Sequence, residues 1–77
     1  MIESDVPIEP GMIVRHIEGL VYRVEDTRRS TNDYEVKRKI GGVVVNYTQL
    51  EDGSFPAGTK WSKDEEGFRE FFTPIVE

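Results

Sequence analysis

The sequence predicts a small, mainly β domain: an SH3-like antiparallel barrel or a bent sheet of four or five strands, with one short helix near the C-terminus. Short runs of alternating apolar and polar residues recur along the chain. Clusters of Gly, Pro, Asn and Asp separate these runs, and neither a long amphipathic helix nor a βαβ spacing is present. The 77 residues predict one domain, residues 1–77, whose first ten residues are irregular because prolines and a following glycine punctuate them.

The first two strands form a predicted hairpin. Residues 12–15 are mostly apolar, and residues 18–19 (Glu-Gly) indicate a turn. Residues 20–25 then alternate with a period of two, which is typical of a half-buried strand. We therefore expect Tyr22 and Val24 to face the core.

A polar loop and a second hairpin are predicted next. Residues 27–33 contain no apolar side chain and indicate an exposed loop. Residues 34–39 predict a strand with a charged outer face, and the Gly-Gly pair at 41–42 can supply the positive φ angles of a two-residue turn. Residues 43–50 are the densest strand pattern in the chain, so we expect them to pair with residues 34–39.

The C-terminal region predicts a short helix followed by a closing strand. Ser62 and Glu65 have the spacing of a capping box, which places a helix start at that serine and one or two helical turns over 63–68. Pro74 limits any helix that runs past Thr73.

Composition argues against an enzyme. The chain has no cysteine and a single histidine, which excludes disulfides, thiolate nucleophiles and zinc sites built on cysteine or on several histidines. His16 has no visible partner that would make it a general base, so a solvated or hydrogen-bonded imidazole is the simpler interpretation. The acidic clusters at 51–52 and 64–66 do not match a calcium-binding loop. We expect no catalytic residue, no metal and no cofactor.

Charge and hydropathy restrict the partners. Fifteen acidic residues against ten basic ones give a net charge of -5, which disfavours general affinity for nucleic acids or anionic membranes. No apolar run approaches the roughly 20 residues of a membrane helix, and the start of the chain is acidic where a signal peptide would be basic. We expect a cytoplasmic protein without a membrane partner.

Two sets of residues are candidates for binding. The leading hypothesis is a non-enzymatic binding or accessory module that presents a barrel groove or an exposed strand to a protein or peptide, which it recognises by aromatic anchors or by edge-strand pairing. Its candidate contacts are Tyr22, Tyr47 and Trp61, although a core anchor is the simpler interpretation of Trp61, because a domain this small has few large apolar groups to spare. The alternative is a β-barrel associated with nucleic acid that uses a basic band. That band comprises Arg28, Arg29, Lys37, Arg38 and Lys39.

Several segments also resemble one known family. Residues 16–24 follow the pattern His-x-Lys-Gly-x-x-Tyr-x-Val except at Glu18, and residues 27–31 resemble an Arg-His-Ser-Glu-Thr-like loop. Residues 44–47 resemble a Val-Val-Tyr strand, and residues 61–63 with Phe68 resemble a Trp-Val-Arg-Pro close that Ser62 and Asp64 interrupt. These motifs are similar to those of the short bacterial proteins called domain of unknown function 1653. The resemblance departs at the lysine, at the loop histidine and in the close. It implies a small β-barrel and no catalytic residue.

Overall fold

The structure of the protein, a computed structural model, describes residues 1–29 and 42–75. Its elements in chain order are β1 (Ile13–His16), β2 (Val21–Arg29), β3 (Val43–Gln49), β4 (Lys60–Asp64), α1 (Glu65–Phe71) and β5 (Phe72–Pro74). The five strands form one antiparallel sheet in the order β4-β3-β2-β1-β5. The predicted mainly β class with one short C-terminal helix is confirmed. Among the described residues β4 and β5 are the two edges, so the sheet is not closed and is consistent with the bent-sheet alternative.

The first hairpin confirms the turn predicted at residues 18–19. Gly19 has a φ of 111°, a region that favours glycine because a Cβ atom would be strained there. The amide of Gly19 donates to the carbonyl of His16 at 2.8 Å, and the amide of His16 donates to the carbonyl of Leu20 at 2.8 Å. These bonds set the register in which Val14 lies opposite Tyr22.

Strand β2 is longer than the sequence indicates. Its residues 27–29 pair with residues 43–45 of β3, so the loop predicted from residue 27 onward is wrong for these three positions. The valine-rich start of β3 supplies a backbone partner for each of these residues, and this pairing outweighs the polar composition of residues 27–29. A register shift between Val24 and Asp26 marks a β-bulge in β2. The strand expected at 34–39, and the first glycine of its turn, lie outside the described residues. Its expected partner, residues 43–50, forms β3, which pairs with β2 on one side and with β4 on the other, so the predicted pairing of this strand was wrong.

The helix starts later than predicted, and a different residue caps it. Asp64 is the N-cap: its Oδ2 atom accepts a hydrogen bond from the amide of Gly67 at 3.2 Å. Ser62, the predicted cap, lies inside β4 opposite Asn46, and its hydroxyl donates to the Asn46 Oδ1 atom at 2.6 Å. The capping box at Ser62 was therefore wrong, because pairing with β3 keeps that residue extended. The predicted order of a short helix followed by a strand is confirmed.

The core lies between one face of the sheet and α1. The rings of Phe68 and Phe72 stack with centroids 4.4 Å apart, and both are almost fully buried. Phe71, between them in the chain, is exposed on the other side of the helix end. The buried core residues are Ile2, Val14, Tyr22, Val24, Val45, Tyr47, Phe68 and Phe72.

The N-terminal segment is irregular, as expected, yet it is fastened to the helix. Ile2 is buried in the core, and its amide donates to the backbone carbonyl of Arg69 at 2.8 Å. The Arg69 guanidinium donates to the carbonyls of Glu3 and Val6 at 2.7 and 2.6 Å. The same side chain forms an i,i+4 ion pair with Glu65 at 3.0 Å. Arg69 therefore ties the segment to α1.

No helix within residues 1–29 and 42–75 is long and apolar enough to cross a membrane.

Candidate functional site

An open pocket of about 180 Å³ lies on the core-facing side of the sheet. All three aromatic residues that the sequence suggested as partner contacts line it. Its lining residues are His16, Glu18, Leu20, Tyr22, Tyr47, Trp61 and Phe72.

Tyr22 and Tyr47 form the floor of this pocket, which we call the aromatic pocket. They lie on the same face of two neighbouring strands, β2 and β3. The residue directly opposite Tyr47 is Val24, so Tyr22 is its diagonal neighbour, two residues along β2. Their rings meet edge to face with centroids 5.3 Å apart. Each ring also meets Phe72 edge to face, at 5.4 and 5.1 Å, and this three-ring contact holds both tyrosines in place.

Trp61 forms one wall. It lies opposite Tyr47 in the β3–β4 register and is half-buried. Its indole Nε1 donates to the Oε1 atom of Gln49 at 3.2 Å, and its ring meets Phe55 edge to face with centroids 5.1 Å apart. Trp61 packs against the core and also lines the pocket. Its contact with a partner stays a prediction.

Gln49 orients that wall and is the residue that sequence reasoning missed. Its side chain is almost fully buried, and its Nε2 atom donates to the carbonyls of Glu51 and Phe55 at 2.8 and 2.6 Å. The backbone of Gln49 also bonds to Thr59 and Gly58. Its position in the strand could have indicated its burial. Positions 45, 47 and 49 share one face of a strand, and the first two are apolar, so the third is expected to face the core as well.

His16 and Glu18 form the rim at the β1–β2 turn. The amide of Glu18 donates to Nδ1 of His16 at 3.0 Å, so this nitrogen accepts a hydrogen bond. The His16 ring meets Phe72 edge to face at 4.9 Å and stacks on Phe71 at 6.3 Å. The imidazole is a hydrogen-bonded, packed side chain, and the Glu18 carboxylate is left at the pocket rim.

The two tyrosines keep their protons at physiological pH. Burial, with a smaller contribution from Tyr22, raises the pKa of Tyr47 to about 12. Burial and the nearby Glu18 carboxylate raise the pKa of Tyr22. Within residues 1–29 and 42–75, neither phenol hydroxyl forms a hydrogen bond with a protein group. The pocket thus presents two neutral hydroxyls that can donate or accept.

Metal-binding groups do not gather in the described part of the chain. No cluster of three or more His, Cys, Asp or Glu side chains with the geometry to hold a metal ion is found among these residues.

The basic band is only partly described. Arg28 and Arg29 are exposed at the far end of β2, about 20 Å along the strand from Tyr22 at 3.3 Å per residue. The other three candidates, Lys37, Arg38 and Lys39, lie outside the described residues. Binding of nucleic acid by this band stays a prediction.

No family model, curated protein or solved structure matches this chain. The resemblance drawn from the sequence motifs accordingly stays a prediction.

Proposed function

We propose that this protein is a non-enzymatic binding module whose aromatic pocket accepts a side chain of a protein or peptide partner. The observation that carries the proposal is the convergence of Tyr22, Tyr47 and Trp61, from three neighbouring strands, on one open pocket. Aromatic side chains in a concave site are the residues that most often dominate the binding energy of protein interfaces.

The size of the pocket favours a single side chain over a larger ligand. Sites for drug-sized molecules and cofactors occupy roughly 300–1,000 Å³, whereas a cavity of about 150 Å³ takes up a group the size of benzene. A pocket of about 180 Å³ matches the smaller class. The rest of a partner would then lie along the surrounding surface.

The pocket is also formed in advance. Tyr22 and Tyr47 are held by Phe72, and Trp61 is held by its hydrogen bond to Gln49. Side chains that are already ordered lose little conformational entropy when a partner binds, so even a small contact area can give measurable affinity.

Selection of a random peptide library on the immobilised protein, followed by ¹⁵N-¹H NMR mapping of the selected peptides, tests the proposal. We expect peptides that shift the indole signal of Trp61 and the amides of Tyr22 and Tyr47. Trp61→Ala should abolish their binding while circular dichroism shows a folded protein. Ile17→Ala is the control, because it removes an exposed apolar side chain that does not line this pocket.

If Trp61→Ala does not fold, Tyr47→Phe is the second variant of the pocket, since it removes only a hydroxyl. Selected peptides that map elsewhere on the surface, or that bind the folded Trp61→Ala variant unchanged, would contradict the proposal.

A further inference from the structure

Resting on the proposed function, we infer that the aromatic pocket selects a positively charged side chain, a lysine or an arginine, of its peptide partner. Aromatic rings, a carboxylate and two hydroxyls line the pocket and together indicate this chemistry.

The walls of the pocket attract cations. Tyr22, Tyr47 and Trp61 all line a space of about 180 Å³, so a group inside it lies close to several rings. An ammonium or guanidinium within about 6 Å of an aromatic centroid is attracted by the negative ring face, and the attraction grows as water is excluded. An anion over a ring face would be repelled.

The charge at the rim has the complementary sign. Glu18 is a carboxylate lining the pocket, and its field reaches the floor, since it contributes to the raised pKa of Tyr22. Neither lysine nor arginine lines the pocket within the described part of the chain. Arg15, the arginine nearest to Glu18 in the sequence, donates to the carbonyl of Gly19 and lines a different depression.

The phenol hydroxyls favour a polar occupant. Tyr22 and Tyr47 are each more than nine-tenths buried, and among described residues their hydroxyls have no protein partner. An apolar occupant would cover these hydroxyls without offering hydrogen bonds, which is unfavourable. The N–H groups of a basic side chain can donate to both oxygens while its alkyl part contacts Leu20.

Four pentapeptides of the form acetyl-Gly-Gly-X-Gly-Gly-amide test the inference by NMR titration of the ¹⁵N-labelled protein. X is lysine, arginine, norleucine or citrulline, so each basic residue has a neutral analogue of similar shape. We expect the lysine or arginine peptide to shift the pocket amides and the Trp61 indole. Its neutral analogue should bind at least about fivefold more weakly, as expected for a cation–π and carboxylate contribution.

Matched variants isolate the role of the carboxylate. Glu18→Gln should weaken the binding of the basic peptide by about threefold to fivefold, the range of a partly exposed ion pair. The substitution preserves the β1–β2 turn, because Glu18 bonds to His16 through its backbone amide only. Glu70→Gln makes the same change of charge outside the pocket and should have no effect.

The possible failures are distinguishable. Equal binding of the neutral analogues at the pocket, or unchanged binding to Glu18→Gln, overturns the selection of a cation and leaves the pocket as a side-chain site. If none of the four peptides, and none of the library peptides, shifts the pocket signals, both the inference and the proposed function fail.

Discussion

The indole nitrogen of Trp61 donates to the side-chain oxygen of Gln49 at 3.2 Å, across the boundary between the core and the aromatic pocket. The same glutamine donates to two carbonyls of the loop that follows β3. One buried amide therefore holds both the pocket wall and the loop beside it, and all three of its hydrogen-bonding contacts are internal.

Replacement of this amide is the sharpest test of that arrangement. Gln49→Leu keeps the approximate volume but removes the partners of the Trp61 indole and of the carbonyls of Glu51 and Phe55. We expect a loss of about 2–3 kcal/mol in the free energy of unfolding, because buried groups that lose a partner cost about 1–3 kcal/mol each and the loop can regain some water. Urea unfolding followed by circular dichroism measures the loss. Ser54→Ala, an exposed change in the same loop, should stay within about 0.5 kcal/mol of wild type.

The two possible helix caps can be separated by mutation. Asp64→Ala removes the acceptor of the Gly67 amide and should cost about 1 kcal/mol of unfolding free energy, whereas Asp64→Asn should retain most of the stability. Ser62→Ala removes only an exposed bond to Asn46 and should cost about 0.5 kcal/mol. A larger loss for the serine variant than for the aspartate variant would show that the cap is assigned to the wrong residue.

Arg69 should control docking of the N-terminal segment. Arg69→Ala removes the donors to Glu3 and Val6. We expect it to cost about 2 kcal/mol, because a hydrogen bond from a charged group contributes about 1.5–3 kcal/mol and the bond to Glu3 is exposed, so water replaces most of it. The amide of Val6, which donates to the carbonyl of Glu3, should exchange its hydrogen faster. Glu65→Gln weakens only the partly exposed ion pair and should cost less than about 1 kcal/mol. Unchanged exchange at Val6 in the arginine variant would mean that the burial of Ile2 and the bond from the Met1 ammonium to Thr73 anchor the segment without Arg69.

The raised pKa of Tyr47 predicts a loss of folding stability at high pH. Its pKa is about 12 in the folded protein and near 10.0 when unperturbed, so the unfolded chain releases this proton first as pH rises. The contribution to stability is complete below pH 10 and is lost as pH approaches 12. Urea unfolding of wild type and Tyr47→Phe at intervals from pH 9 to pH 12 should show a steeper decline for wild type. Parallel curves would contradict the raised pKa.

Local patterns were sufficient for the positions of several elements. The alternation around Tyr22 predicted the inward face of β2, and the Glu18-Gly19 pair predicted the turn that the φ angle of Gly19 confirms. These features depend on residues close in sequence, since a strand has a side-chain period of two and a tight turn depends on only a few residues. The end of β2 was missed because pairing with β3, not its own composition, keeps residues 27–29 extended.

For the candidate site, too, the residue types could be predicted from the sequence but their contacts could not. The sequence by itself determined which residue types were available for recognition: aromatic side chains in the strands, a single histidine and no cysteine. The tertiary structure alone decided that Tyr22, Tyr47 and Trp61 share one pocket, that Gln49 orients it and that Arg69 bonds to Glu3, 66 residues away. Strand neighbours and buried polar partners are chosen by the packing of the whole chain, because hydrogen bonds and ring contacts join groups close in space whatever their separation in sequence.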